Sequence, residues 1–326
     1  MLTAAVRDLH AHAPGRFVTD VRTSAPDLWH HNPHITPLDE KAAGVETLDC
    51  SYPLIHQSNQ RPHHFLDGFI AFLNKKLRLK IQLTAMRGDI HLSKAEKRRP
   101  SPVAELLGAE VPYWIIVSGG KYDYTIKWWH FRRYQRVVNQ WRDRALFVQV
   151  GERHHYHPDL PGVIDLRGRT PMRDLIRLMH HAQGVLCPVT FLMHLCAAVE
   201  NRDGKPGSRP CVVVAGGREP AHWEAYPGHQ FIHTLGALPC CAPDACWRSR
   251  TVPLGDGDEK DEPRSLCADV VNGLPRCMDM ITPAEVSRRM QWYYDGGMCR
   301  LLTPKEARLA RRFVQPDIRQ QLGMER

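Results

Sequence analysis

The chain has 326 residues, 43% of them apolar and 24% charged, and Lys plus Arg exceed Asp plus Glu by 44 to 35. That mix excludes bulk disorder and gives enough length for two domains, while the net charge of +9 favours anionic partners such as phosphates, nucleic acid or an acidic membrane face without setting aside a merely basic enzyme. No window approaches the roughly eighteen consecutive apolar residues of a spanning helix, and the opening residues lack the basic flank and apolar run of a signal peptide, so a cytoplasmic location is expected. Ten cysteines in that compartment are expected as reduced thiols, and a local cluster of them reads as metal ligands before disulfides.

In chain order, residues 2–13 read as an amphipathic helix ending at Pro14 and Gly15. Residues 17–22 and 45–50 read as strands. Residues 64–77 place apolar side chains at 65, 66, 69, 70, 72 and 73, a helical period. Residues 113–120 form a buried-strand run closing on Gly119 and Gly120, and 130–143 are again helical. A second series follows. Residues 146–151 and 163–166 are strands, and Thr170 with Pro171 opens a helix to about Ala182. Strand 184–187, helix 191–199, strand 211–217 and a last strand at 230–234 complete it.

Alternation of apolar strands with helices predicts parallel sheets covered on both faces. The two series predict two Rossmann-like halves facing a cleft, with ligands at the carboxyl ends of strands. The predicted division is 1–145, then 146–295 including a cysteine-rich segment at 239–280, then a helical tail over 296–326. Thr282 to Glu285 and Thr303 to Glu306 are two capping-box starts for the closing helices. A doubly wound domain opens on a strand, whereas this chain opens on a helix. Either the first strand is missing or the natural start lies upstream.

Three motifs carry a resemblance. Ile126, Lys127, Trp128 and Trp129 follow the strand and Gly-Gly turn and resemble the Lys-Arg-Trp-Pro element of glycosyltransferase family 9, the ADP-heptose heptosyltransferases. Gly168, Arg169 and Thr170, followed by Val189, Thr190, Phe191, Leu192, Met193, His194 and Leu195, resemble that family's donor pattern Asp-Thr-Gly-Leu-x-His-Leu. Cys277, Met278, Ile281, Pro283 and Val286 resemble its Cys-Met-x-x-Ile-x-Pro-x-x-Val closure. The order and spacing agree over about residues 1–295. The resemblance implies a two-domain GT-B enzyme that moves heptose from ADP-heptose to an acceptor hydroxyl, on lipopolysaccharide or protein, without a catalytic metal. The cysteine-rich segment resembles the autotransporter heptosyltransferase branch, which glycosylates proteins and carries a structural iron. This chain departs from the pattern in having Val189 for the family's Asp and Phe191 for its Gly. It also starts just past the Gly-Asp pair whose Asp is the family's base.

Transfer from a sugar diphosphate needs fixed positive charge for the leaving group and an acceptor for the hydroxyl proton. Lys127 suits the diphosphate, Thr190 and the N–H groups opening its helix add to it, and Leu192, Met193 and His194 complete the donor candidates. Ser118, Gly119 and Gly120, with Lys121, form a second anion loop. Gly151 and Glu152 match where the family holds the ribose, and Gly216, Gly217 and Arg218 mark a further strand exit. No residue carries a motif for the base: Asp20 is available, with His30, His31 and His34 after it. Each of these residues also has a bland reading, His194 as a buried structural histidine and Lys127 as a surface lysine.

Cys240, Cys241, Cys246, Cys267 and Cys277 fall close together in a segment without core periodicity. Counted from Cys241, the spacing C-x4-C-x20-C-x9-C suits tetrahedral zinc or iron in a structural role, with Cys240 as a substitute. Cys50, Cys187, Cys196, Cys211 and Cys299 read as packing residues. Two other functions stay open. One is a degenerate nucleotide-sugar binder without a base. The other is a basic, metal-stabilised nucleic-acid-binding protein, for which the aromatic and basic stretch 128–134 comes closest, although no nucleic acid is expected as a partner. The expected partners are an ADP-sugar and its lipopolysaccharide or protein acceptor, with peripheral membrane contact open.

Overall fold

The computed structural model describes residues 1–54, 57, 61–202, 209–242, 244–296 and 304–313. Its first third carries helices joined by long irregular stretches, with no described strand. The helices are α1 (Leu2–His12), α2 (Asp67–Leu77), α3 (Lys94–Arg98) and α4 (Pro102–Leu107). Then come β1 (Tyr113–Ile116), α5 (Phe131–Trp141), β2 (Leu146–Gln149), β3 (Ile164–Asp165), α6 (Met172–His181), β4 (Gly184–Pro188), α7 (Phe191–Ala198), β5 (Cys211–Gly216), α8 (Ala221–Glu224) and β6 (His229–His233). The chain closes with β7 (Val270–Val271), β8 (Leu274–Pro275), α9 (Arg276–Asp279), α10 (Pro283–Tyr294) and α11 (Pro304–Phe313). No described helix is long and apolar enough to cross a membrane.

Six strands form one parallel sheet in the order β3-β2-β1-β4-β5-β6. Alternate residues feed two cores, as a sheet buried on both faces requires. Tyr113, Ile115, Val185, Cys187, Cys211 and Val213 pack with α6 and α7. Trp114, Ile116, Leu186, Val212 and Val214 pack with α5 and α10. A smaller cluster ties α1 to α2.

This corrects the expectation of two sheets. β1, from the first predicted series, lies in the middle of the sheet between β2 and β4, because its four residues are buried on both faces and need a covered neighbour on each side. The predicted boundary after residue 145 therefore falls inside the sheet. Residues 17–22 and 45–50 are not strands. In the first, Thr19 alone bridges to Ile35, while the Asp20 carboxylate takes the N–H groups of Val21 and Leu38 at 2.8 and 2.9 Å. A side chain that binds local backbone in this way competes with a ladder. The second is largely exposed and has no apolar face to bury.

The predicted helices over 64–77, 130–143, 170–182 and 191–199 all form. That at 170 starts at Met172 with Pro171 as its cap, and Thr170 makes no cap bond. Thr282 caps α10 through the N–H of Glu285. Cys299 and Thr303 lie outside the described residues.

Candidate functional site

In an open parallel sheet, ligands sit outside the carboxyl ends of the strands where the order reverses. Here that point lies between β1 and β4. β1 exits into Val117, Ser118, Gly119 and Gly120, and β4 exits into Val189 and Thr190, the cap of α7. The fold thus brings the two predicted stretches to one edge.

They differ in what they leave free. Ser118 donates its hydroxyl to the Pro158 carbonyl at 3.3 Å and accepts from Gln149 Nε2 at 2.9 Å. Gly120 and Tyr156 exchange both backbone hydrogen bonds, at 2.9 and 3.1 Å. A Cβ on Gly119 would stand 1.8 Å from the Tyr156 carbonyl oxygen. The glycine pair therefore lets two backbones meet, and the Gly120 N–H is committed to protein. Gly151 plays a similar part beneath the His157 ring, and Glu152 is exposed at the exit of β2, its carbonyl accepting from His155 N at 3.2 Å.

On the other side, Thr190 caps α7 without a side-chain cap bond. Leu192 and Met193 are buried and pack in the core, so their contribution to the edge is backbone. His194 Nδ1 lies 2.9 Å from the Tyr226 hydroxyl. Burial, followed by the positive charges of the amino terminus, Lys127 and His64, holds the His194 imidazole well below its usual pKa. It is a neutral ring able both to donate and to accept.

Lys127 ends a 3₁₀ turn after β1 and does not open a helix, since α5 starts four residues later. Its Nζ lies 2.7 Å from Glu219 Oε1 and 5.5 Å from the centre of the Tyr124 ring. Burial pushes the ammonium down to about 8, with Glu224 opposing and Arg218 adding to the shift. Arg218, just past the glycine exit of β5, bonds to Glu219, donates to the Arg248 carbonyl at 2.6 Å and lies over Tyr124 at 4.8 Å. Glu219 and Glu224 are almost fully buried, and each keeps an Oε2 with no hydrogen-bond partner. Burial raises the Glu224 carboxyl, against the pull of Lys127 and Arg218. Two buried carboxylates with unpaired oxygens are expensive unless something completes their bonding.

Glu219, Glu224, Tyr124 and Tyr226 were not singled out by the sequence. Two acids five residues apart behind a strand-Gly-Gly-Arg exit were the available signal. Asp20 sits elsewhere: against its partial burial, bonds from Leu38 N, Val21 N and Arg22 hold it below the usual carboxylate range, a poor setting for a base. His30 lies 3.7 Å from Asp27 and His31 3.4 Å from Glu96, while His34 stacks on His10. The 128–134 stretch is used in packing. Trp128 stacks on Tyr156, Trp129 donates to the Ile281 carbonyl, Tyr134 is buried, and Arg133 binds the carbonyls of Asp279 and Ile281.

The cysteine-rich segment is held by short turns and the β7–β8 hairpin. Cys241 and Cys277 lie beneath the glycine exit of β5. A Cβ on Gly217 would lie 3.2 Å from Cys241 Sγ and 3.4 Å from Cys277 Cβ, and Cys246 N–H donates to the Gly217 carbonyl at 3.2 Å. Burial and, after it, the neighbouring thiols raise Cys240, Cys246 and Cys277, the last to about 12, and Cys267 is among those neighbours. Cys241 directs its Sγ to the carbonyls of Leu238 and Thr234. Among the described residues, no three of these five thiols have their sulfurs within 4.8 Å of one another.

No protein-family model matches the chain, and no curated protein matches it by sequence. Among solved structures it is similar to an ADP-heptose lipopolysaccharide heptosyltransferase II of E. coli, with 14% identity, a TM-score of 0.43, and coverage of 70% of this chain and 61% of the other. It is also similar to a family 9 glycosyltransferase of Veillonella parvula (13%, 0.47, 71% and 60%) and to the iron-containing dodecameric glycosyltransferase TibC of E. coli (16%, 0.44, 70% and 51%). The chain spans about half to three fifths of the length of these structures.

Proposed function

We propose that the chain is a glycosyltransferase of the heptosyltransferase type, taking an ADP-sugar at the carboxyl edge of its sheet. One observation carries the reading: the half-buried Lys127 and the buried Arg218, packed with the buried Glu219 and Glu224, stand at the strand exits around the reversal point that α7 also faces. Paired cations suit a diphosphate, which gains negative charge as it leaves. The unpaired Oε2 atoms of Glu219 and Glu224 suit sugar or acceptor hydroxyls. In the transfer step the acceptor oxygen bonds to the anomeric carbon as the bond to the diphosphate breaks, and the bond pair leaves with the diphosphate. Glu224, its carboxyl raised by burial, takes the acceptor proton in this reading in place of Asp20. The motif residues Thr190 and His194 orient the donor. The segment before β1 faces the acceptor, a hydroxyl of lipopolysaccharide or protein, and the sheet from β1 onward, with Lys127, holds the donor. The cysteine cluster, closed by Cys246, Cys267 and Cys277 with Cys240 or Cys241, holds a structural iron or zinc.

A second reading, a nucleotide-sugar binder without turnover, is favoured by Val189 and Phe191 at the family's Asp and Gly positions.

Calorimetric titration with ADP and ADP-heptose, alongside a transfer assay, tests both. Lys127→Ala is expected to weaken ADP binding about 10- to 100-fold, as loss of a charge-assisted bond does. Glu224→Gln is expected to keep binding and to lose about 100-fold or more of turnover. Binding without turnover in the unaltered chain selects the second reading, and no binding of either nucleotide ends both.

A further inference from the structure

Away from the candidate donor edge, at the amino ends of β5 and β6, a second group of soft ligands converges. Cys211 begins β5 and His229 begins β6, and the two are register partners, so their side chains share a face of the sheet. Cys196 comes from α7, which covers that face. One ligand atom from each of Cys196, Cys211 and His229 lies within 4.8 Å of the others. Cys187 is on the same face of β4, one step along from Val185, the register partner of Cys211. Cys187, Cys196 and Cys211 are essentially inaccessible to solvent.

Two features distinguish this group from cysteines that merely pack. His229 Nδ1 is buried and has no hydrogen-bond partner, which costs free energy unless a ligand or ion completes it. Beside Cys196 lies Arg209, 3% exposed, whose guanidinium donates to the carbonyls of Cys196 and Val199 at 3.0 and 3.1 Å and of Glu200 at 3.1 Å. A buried cation bonded to carbonyls calls for a nearby negative charge. A divalent ion held by three thiolates and a neutral imidazole carries one net negative charge, which Arg209 would balance.

We infer that Cys196, Cys211 and His229, with Cys187 as fourth ligand, form a structural site for a tetrahedral zinc-type divalent ion, separate from the cysteine-rich segment. Bonds of about 2.3 Å set tetrahedral ligand atoms about 3.8 Å apart, so Cys196, Cys211 and His229 close by no more than about 1 Å on loading, and the fourth position is left to Cys187, which lies outside that 4.8 Å group. Four protein ligands leave no open position, and the role is to pin α7 to β5 and β6. Because His194 lies two residues before Cys196 on α7, the same ion would fix the helix that carries the candidate donor histidine. The site does not depend on the sugar-transfer reading.

The test is metal counting on the full chain, produced in zinc-supplemented medium and purified without chelator. The unaltered chain is expected to hold one more equivalent of zinc than His229→Asn or Cys211→Ser. Cys240→Ser with Cys267→Ser is expected to remove a different equivalent and to leave this one. His229 is only partly buried, so its variant keeps the circular dichroism of the parent even if Cys211→Ser fails to fold. Cobalt substitution gives a second reading: the visible bands of the tetrahedral ion are expected to change in His229→Asn. Zinc content and cobalt spectrum unchanged in His229→Asn overturn the inference. So does a Cys196–Cys211 disulfide found by mass spectrometry of the unreduced chain.

Discussion

At the scale of single residues, the candidate edge is governed by how far burial shifts its charges. Lys127 carries its charge only below about 8. If its ammonium holds the donor diphosphate, ADP affinity falls as pH rises through 8, because deprotonation removes the attracting charge while the diphosphate stays ionised. Lys127→Arg, which stays charged throughout, is expected to flatten that profile, and titration calorimetry between pH 7 and 9 reads both. Gly119 makes a different demand. A methyl there meets the Tyr156 carbonyl at 1.8 Å, a backbone atom that cannot rotate away. Gly119→Ala is therefore expected to cost about 1–3 kcal/mol, visible as a lower urea midpoint. Both residues were named from sequence as anion binders, and the structure gives them separate tasks, a charge for Lys127 and a close backbone approach for Gly119.

At the scale of elements, helix positions followed from periodicity and capping because those signals are local. α10 shows the point. Thr282 accepts from Glu285 N at 3.2 Å and Pro283 supplies the fixed first turn. Thr282→Ala is expected to cost about 1 kcal/mol, measured by denaturant unfolding. The loss extends beyond α10, since Val286, Met290 and Tyr293 cover the face of the sheet that also holds Trp114 and Trp129. Strands were legible where both faces are buried, as in β1, β4 and β5, which read as unbroken apolar runs. They were misread at 17–22 and 45–50, where β-prone residues stand in exposed chain. There Asp20 supplies the local bonds that a ladder would otherwise make.

At the scale of the whole molecule, one six-stranded sheet ties nearly everything together, and the cysteine-rich segment is the exception. It rests on the β5 exit through Gly217 and has only a two-residue-stranded hairpin and short turns of its own. If the thiols there hold a structural ion, incubation with a strong chelator under reducing conditions is expected to lower the thermal midpoint and to make residues 239–280 the first site of limited proteolysis. Chelation that leaves both unchanged means that the segment is held by packing alone.

The sequence by itself determined the α/β class, the longer helices α1, α2, α5, α6, α7 and α10, the central strands and the clustering of the five late cysteines. Each of these is written in local periodicity, in short-range capping, or in composition. Tertiary structure alone decided that the two strand series make one sheet, because pairing between β1 and β4 joins residues some seventy positions apart and leaves no local mark. It also decided that Lys127 meets Glu219 and Arg218, and that Cys211 meets His229, since these contacts arise where separate strands end or begin side by side. The spacing of charges and thiols along the chain lists the candidates, and the register of the sheet selects which of them share a site.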